Sequence, residues 1–339
     1  AYGANEQLTD TWTNLGDGNQ RHVSYTREAG TGALIMTVAL TKSGSQDQPV
    51  GSCRLEYYGT GGLGDSNGNP GDLKLLITYA TDGTPVDRTY YRYYTHVGAN
   101  NQVTKDALKC ILKGQSLQRL EAEGKSYDTA TDAEIKPFAD NYYEYDGDGR
   151  VVKETLAASG CSLGCGQSGT SYAYVFSKYA DGPNTWHAKV TKTFSDESQI
   201  ITFTNARGQV LLEDVVSSTG QHWITCNHYN DDGTLDWSAQ PSAVDMSLHQ
   251  LPDEYGYNSS YSDLHVSLKA NEGLIQVYEY YDSTNAPEYP ESGVPTISGP
   301  MTGDPGSWGG VAGYLCRSGV KQGSGGATVW QTATDYVYK

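Results

Sequence analysis

Short runs in which apolar and polar residues alternate recur along most of this 339-residue chain, separated by small clusters of Gly, Asn, Asp and Ser. Period-two alternation puts apolar side chains on one face of a strand, so each run predicts a half-buried β-strand. Ala33–Leu40, Arg54–Tyr58 and Leu73–Tyr79 are such runs, with a polar loop over Gly59–Asp72. Thr81-Asp82-Gly83 then turns the chain into a partner over Arg88–Thr95, which is a hairpin signal. From about 104 to 140 the pattern breaks. Leu117 and Leu120, three apart and followed by Gly124, predict a short helix over Ser116–Gly124. Thr131-Asp132-Ala133-Glu134 spells a capping box that opens a second helical turn, ended near Pro137.

The strand-and-turn rhythm returns at Asn141 and continues to about 240. A polar stretch fills 241–262, strands resume over Leu264–Tyr281, and 283–310 is a long loop rich in Pro, Gly and Ser. Val329–Thr332 and Tyr336–Lys339 close the chain as alternating strand without a terminal cap, so it is expected to be part of something longer. The fold expected is mainly β: consecutive antiparallel β-hairpins forming a curved sheet or shell, with a small helical insertion near 104–140. Residues 1–50 are expected as an N-terminal β segment. Residues 51–339 form the main β region, with insertions at about 96–141 and 241–310.

Composition sharpens this picture. Tyr is 27 against Phe 4 and Met 3, so tyrosine carries the aromatic burial, with its ring inward and its hydroxyl reaching a polar partner. Lys plus Arg is 23 and Asp plus Glu is 40, giving 23 − 40 = −17, a surface that repels phosphate backbones and anionic membranes. No run approaches the roughly 20 apolar residues of a membrane helix. Nucleic-acid partners and membrane insertion are therefore not expected. Neither end has the layout of a secretion signal, so a secreted form would be a mature chain or an internal piece.

Six cysteines (53, 110, 161, 165, 226 and 316) allow 15 pairings. Only Cys161 and Cys165 are close, in a glycine-flanked loop that can close a local disulfide. Unbridged thiols are the alternative, and zinc would need two further ligands. Asp65, Asn67, Asn69 and Asp72 place oxygen side chains at alternate positions of a glycine-rich loop, a pattern that can wrap calcium. Without a cation the same residues make a polar turn. The seven histidines are scattered, and no hydrolase, zinc-protease, phosphate-loop or dinucleotide motif occurs. The chain is not expected to be an enzyme.

Its most informative stretch is Asn141-Tyr-Tyr-Glu-Tyr145-Asp146-Gly147-Asp148-Gly149-Arg150. Asp146 can accept backbone N–H bonds, Gly149 can take positive φ, and Arg150 leads the next strand. The frame recurs as Tyr229-Asn230-Asp231-Asp232-Gly233, Thr204-Asn205-Ala206-Arg207-Gly208, Tyr79-Ala80-Thr81-Asp82-Gly83 and Tyr281-Asp282-Ser283-Thr284-Asn285. Five copies amount to an internal repeat with long insertions. The Tyr-Asp-x-x-Gly-Arg frame resembles the YD repeat of RHS proteins, and Ala139–Glu154 resembles the long YD proteins of bacterial cell surfaces. The resemblance covers residues 50–339 and implies hairpins wound into a curved sheet or hollow shell. Copies starting at 79, 145, 204, 229 and 281 are spaced more loosely than in a tight shell, and no stretch matches the family's C-terminal core.

The resulting expectation is an extracellular, non-catalytic structural or surface-interaction segment of a large YD-repeat protein, able to form a filament or shell. Its partners would be further copies or the remainder of a longer chain. Alternatives are a carbohydrate-binding adhesin, in which the six tryptophans and exposed tyrosines form a glycan-stacking platform instead of packing on strand faces, and a hydrolase on a β-scaffold.

Overall fold

The computed structural model describes residues 8–16, 18–29, 32–42, 46–59, 67–95, 106–156, 168–245, 266–281 and 312–333. Contacts divide the chain into two compact units, 1–171 and 172–339. The fold is the expected one: consecutive antiparallel hairpins with a small helical insertion.

The first unit is a meander of β1 (Asp10–Gly16), β2 (Asn19–Arg27), β3 (Leu34–Lys42), β4 (Gln48–Tyr57), β5 (Leu73–Tyr79), β6 (Pro85–Tyr93), β7 (Leu108–Lys113), β8 (Asn141–Tyr145) and β9 (Val151–Leu156). Each strand pairs antiparallel with the next, and β9 receives Ser168–Ser171 at the start of β10 (Ser168–Phe176). The boundary expected near residue 50 falls inside β4. One prediction is corrected here: Leu108–Lys113 is a strand, because Leu108, Cys110 and Leu112 alternate and the last two are buried.

The helices are α1 (Gly114–Ala122) and α2 (Asp132–Ile135), the latter opened by the predicted capping box with both reciprocal bonds present. Leu117, Leu120, Ile135 and Ala139 from this insertion pack on Leu75, Tyr90, Cys110, Leu112 and Tyr142 of the sheet. Arg92 on β6 anchors the insertion. Its guanidinium is 1% exposed and donates to the carbonyls of Tyr127 and Ala130 and to Asp132.

The second unit continues through β11 (Ala188–Thr193), β12 (Gln199–Thr204), β13 (Val210–Val216), β14 (His222–Tyr229), β15 (Leu235–Ala239), β16 (Leu274–Tyr280), β17 (Leu315–Gln322) and β18 (Val329–Ala333), again paired in order. Its core gathers Trp186, Phe203, Leu212, Ile224, Cys226, Ala239 and Ile275, with Ala243 and Val244 from the segment after β15.

Candidate functional site

A single backbone device closes most of these hairpins. The N–H of the residue just after one strand bonds the carbonyl of the residue just before the return strand. The residue just before that acceptor has positive φ, and its own N–H bonds back. Six hairpins do this over five residues: 80–84, 146–150, 194–198, 205–209, 217–221 and 230–234. The positive-φ position is glycine at 83, 149, 208, 220 and 233, where the absence of Cβ removes the left-handed penalty, and Glu197 in the sixth. One side-chain oxygen in each turn also accepts the N–H of the fifth residue. It comes from Asp82, Asp146, Asp196, Asn205, Ser217 or Asp232.

The same two-bond frame carries the excursions. Tyr58 bonds Asp72 with Gly71 returning, Tyr94 bonds Ala107 with Asp106 returning, and Tyr281 bonds Tyr314 with Gly313 returning. Gly71, Asp106 and Gly313 all have positive φ. A long insertion therefore leaves and re-enters the sheet through the geometry of a tight turn.

In seven hairpins the residue before this frame marks a register shift. These residues are Tyr57, Tyr79, Tyr93, Tyr145, Thr204, Tyr229 and Tyr280, six of them tyrosine. Each pairs with the first residue of the return strand, and the next position there is bulged. The structure thus brings Tyr145, Asp146, Gly149 and Arg150 into one turn, with Tyr229 and Gly233, and Tyr79 and Gly83, in equivalent ones. Arg150 clasps its own turn through Asp146 at 2.7 Å and Asp148 at 2.5 Å. One copy is corrected: the turn frame near 281 starts on Tyr280, with Tyr281 in the place of the acid. The copies at Tyr57 and Tyr93 are invisible in sequence because their returning residues lie beyond long insertions.

Tyrosines also tie one repeat to another. Tyr145 donates to the Leu108 carbonyl at 2.8 Å and Tyr229 to the Val210 carbonyl at 3.0 Å. Each contact joins the tyrosine to the first return-strand residue of the preceding hairpin at the same end of the meander.

Of the expected calcium ligands, Asp65 lies outside the described residues. Asn67 donates to the Asp128 carbonyl, Asn69 donates to Asp106 at 2.6 Å, and Asp72 accepts the Asn69 N–H at 2.8 Å. Among the described residues no group of three His, Cys, Asp or Glu side chains is placed to hold a metal. Cys161 and Cys165 also lie outside the described residues. No disulfide joins the four described cysteines, and burial pushes the Cys110 and Cys226 thiols up to about 12.

Two histidine constellations went unread in the sequence. Asp214 on β13 is fully buried. One of its oxygens accepts from His222 Nδ1 at 2.7 Å, and the other has no partner among the described residues. In the first unit, His22 sits between two carboxylates, Nε2 to Asp10 at 2.9 Å and Nδ1 to Asp47 at 2.5 Å, and Asp47 also accepts from Thr41. The hydrogen bonds that the His22 ring donates to Asp47 and then to Asp10 raise its pKa. Trp12 stacks on that ring at 3.8 Å and 5°. Only cross-strand register brings these residues together, since Trp12 and His22 are directly opposed in β1 and β2. No known family model matches the sequence, and neither does any curated protein.

Proposed function

We propose that this chain is a non-catalytic structural and surface-interaction segment of a long extracellular protein of the YD-repeat kind. The observation that carries the reading is the shared turn: seven hairpins with one register shift, six of them entered by tyrosine. A repeated unit whose insertions depart through its turn supplies a scaffold and changes its displayed loops at little cost to the sheet. Tyrosine bonds between successive repeats give the lateral cohesion that a shaft or shell requires. The acidic surface, net −17, suits a module that stays apart from nucleic acid and anionic lipid. Further copies, or the rest of a longer chain, are the partners this architecture favours.

Calcium in the 65–72 loop is a subsidiary part of the proposal, tested by whether a chelator lowers the melting temperature. The principal test labels intact source cells with a membrane-impermeant amine reagent and then measures the denatured, reduced mass of the labelled protein. A labelled species well above 36.7 kDa is expected. A species shielded until the cells are lysed would overturn the extracellular assignment. Turnover on polysaccharide or peptide panels would overturn the non-catalytic one.

A further inference from the structure

The first unit devotes four polar side chains to fixing one exposed indole. Trp12 is 52% exposed on β1, and one face of its ring lies flat on His22, which restricts its rotation. His22 is fixed in turn by Asp10 from β1 and by Asp47 from the segment before β4, and Asp47 is itself held by Thr41 of β3. Both ring nitrogens meet carboxylate oxygens, an arrangement that favours the doubly protonated imidazolium. Exposed apolar side chains are ordinarily left to rotate. Ordering one in advance removes an entropic cost that a ligand would otherwise meet on binding.

The surroundings of the free indole face define the ligand. Antiparallel register places Asp10, Trp12 and Asn14 of β1 on the same face as Gln20, His22 and Ser24 of β2 and Thr37, Ala39 and Thr41 of β3. Among the described residues this is an aromatic plate bordered by amides, hydroxyls and carboxylates. An anion would meet the negative field of the protein. A cation would approach an indole already polarised by the imidazolium behind it, which weakens the usual cation–π attraction. A neutral ring with C–H bonds on one face and hydroxyls at its edge satisfies both the plate and its border.

We propose that Trp12 is a stacking platform for a neutral pyranose sugar, with Asn14 and Gln20 positioned to meet its hydroxyls and the Asp10–His22–Asp47 clasp acting as a positioning group. The inference rests on the surface-interaction reading above and names the ligand class for it. Among the described residues, Trp223, 46% exposed beside Val215 on β13, stacks on no such clasped ring.

The test is a glycan array followed by titration with the methyl glycosides of the sugars bound, read by tryptophan fluorescence. The full chain, Trp12→Ala and His22→Gln are compared, with melting temperature as the folding control. Wild type is expected to bind a neutral glycan and Trp12→Ala to lose at least tenfold in affinity while remaining folded. Binding is also expected to weaken as pH rises through the His22 titration, because a neutral ring can donate to only one of the two carboxylates. The groups facing that ring are Asp10 and Asp47, and both are already ionised in that range. His22→Gln should flatten this pH profile, which a purely structural role would not do. No glycan bound by wild type, or equal binding by Trp12→Ala, would overturn the proposal. So would a variant that loses self-association and leaves glycan binding intact, which would make Trp12 a contact between copies. None of these outcomes bears on the cell-surface labelling or the denatured mass, so the two proposals fail separately.

Discussion

Tyr145 on β8 reaches the Leu108 carbonyl on β7 at 2.8 Å, linking the residue that enters one turn to the residue that leaves the preceding turn at the same end of the meander. The tyrosine of the repeated frame is therefore more than apolar filling. Its ring covers the sheet beside a bulge, and its hydroxyl binds the neighbouring repeat.

Tyr145→Phe keeps the ring and removes that bond. The variant is expected to lose about 1 kcal/mol of unfolding free energy, the usual worth of one such hydrogen bond. Urea titration followed by tryptophan fluorescence measures it. An unchanged midpoint would mean that the ring alone explains the tyrosine.

The left-handed turn position makes opposite predictions at different sites. Gly208 has φ of 78° and open space for 4 Å around the place a Cβ would take, so Gly208→Ala should cost only the backbone penalty, about 1 kcal/mol. A Cβ on Gly273 would come within 2.2 Å of the Ser242 and Ala243 main chain, so Gly273→Ala should cost more than Gly208→Ala. Glu197 holds φ of 69° without being glycine, and Glu197→Gly should stabilise the second unit by up to about 1 kcal/mol. Thermal melts of the three variants would show whether that ranking holds.

Turn carboxylates make the hairpins acid-sensitive. Bonds from Thr84 hold the Asp82 pKa below its ordinary value, bonds from Ser198 do so for Asp196, and bonds from Thr234 do so for Asp232. A lowered folded pKa stabilises the fold above the unfolded pKa, about 4, and that contribution is lost as pH falls through the folded value. The amide protection factors of Thr84, Ser198 and Thr234, taken relative to intrinsic exchange at each pH, are expected to fall below pH 4. Asp196→Asn should remove this acid dependence at Ser198 and leave the other two turns unaltered.

Asp214 and His222 are unequal partners. His222→Ala strands a fully buried carboxylate and should destabilise the second unit by about 3 kcal/mol. Asp214→Leu removes the buried charge and leaves a half-exposed imidazole that water can serve. That variant is expected to be neutral or more stable. Chemical denaturation of both variants decides the matter, and a large loss from Asp214→Leu would show that the carboxylate has a favourable partner.

What the sequence conveyed was local. Alternation identified the hairpins, Asp146-Gly147-Asp148-Gly149 announced its turn, and Thr131 with Glu134 announced the capping box, because the determining residues are neighbours. Tyr58 with Gly71 and Tyr281 with Gly313 form the same turn, but the intervening residues hide the pairing from any short window. Tyr281-Asp282 imitates the motif so closely that it displaces the frame by one position. Register accounts for the histidine constellations: Trp12 faces His22 only once β1 and β2 are aligned, and Asp214 meets His222 only across the turn at 217–221. Arg92 lies within the predicted strand Arg88–Thr95 with nothing local to mark it, and the helices it anchors begin about twenty residues later.

The most direct test of a common frame beneath variable loops is to delete one excursion and restore the tight turn. Replacing residues 282–312 with Asn-Gly joins Tyr281 to Gly313 and Tyr314 through a five-residue turn like that at 230–234. The second unit is then expected to unfold cooperatively with its stability retained or raised by about 2 kcal/mol, from the shorter loop. Loss of cooperative unfolding, or of amide protection in β16 and β17, would contradict the account and make the excursion part of the fold it was taken to decorate.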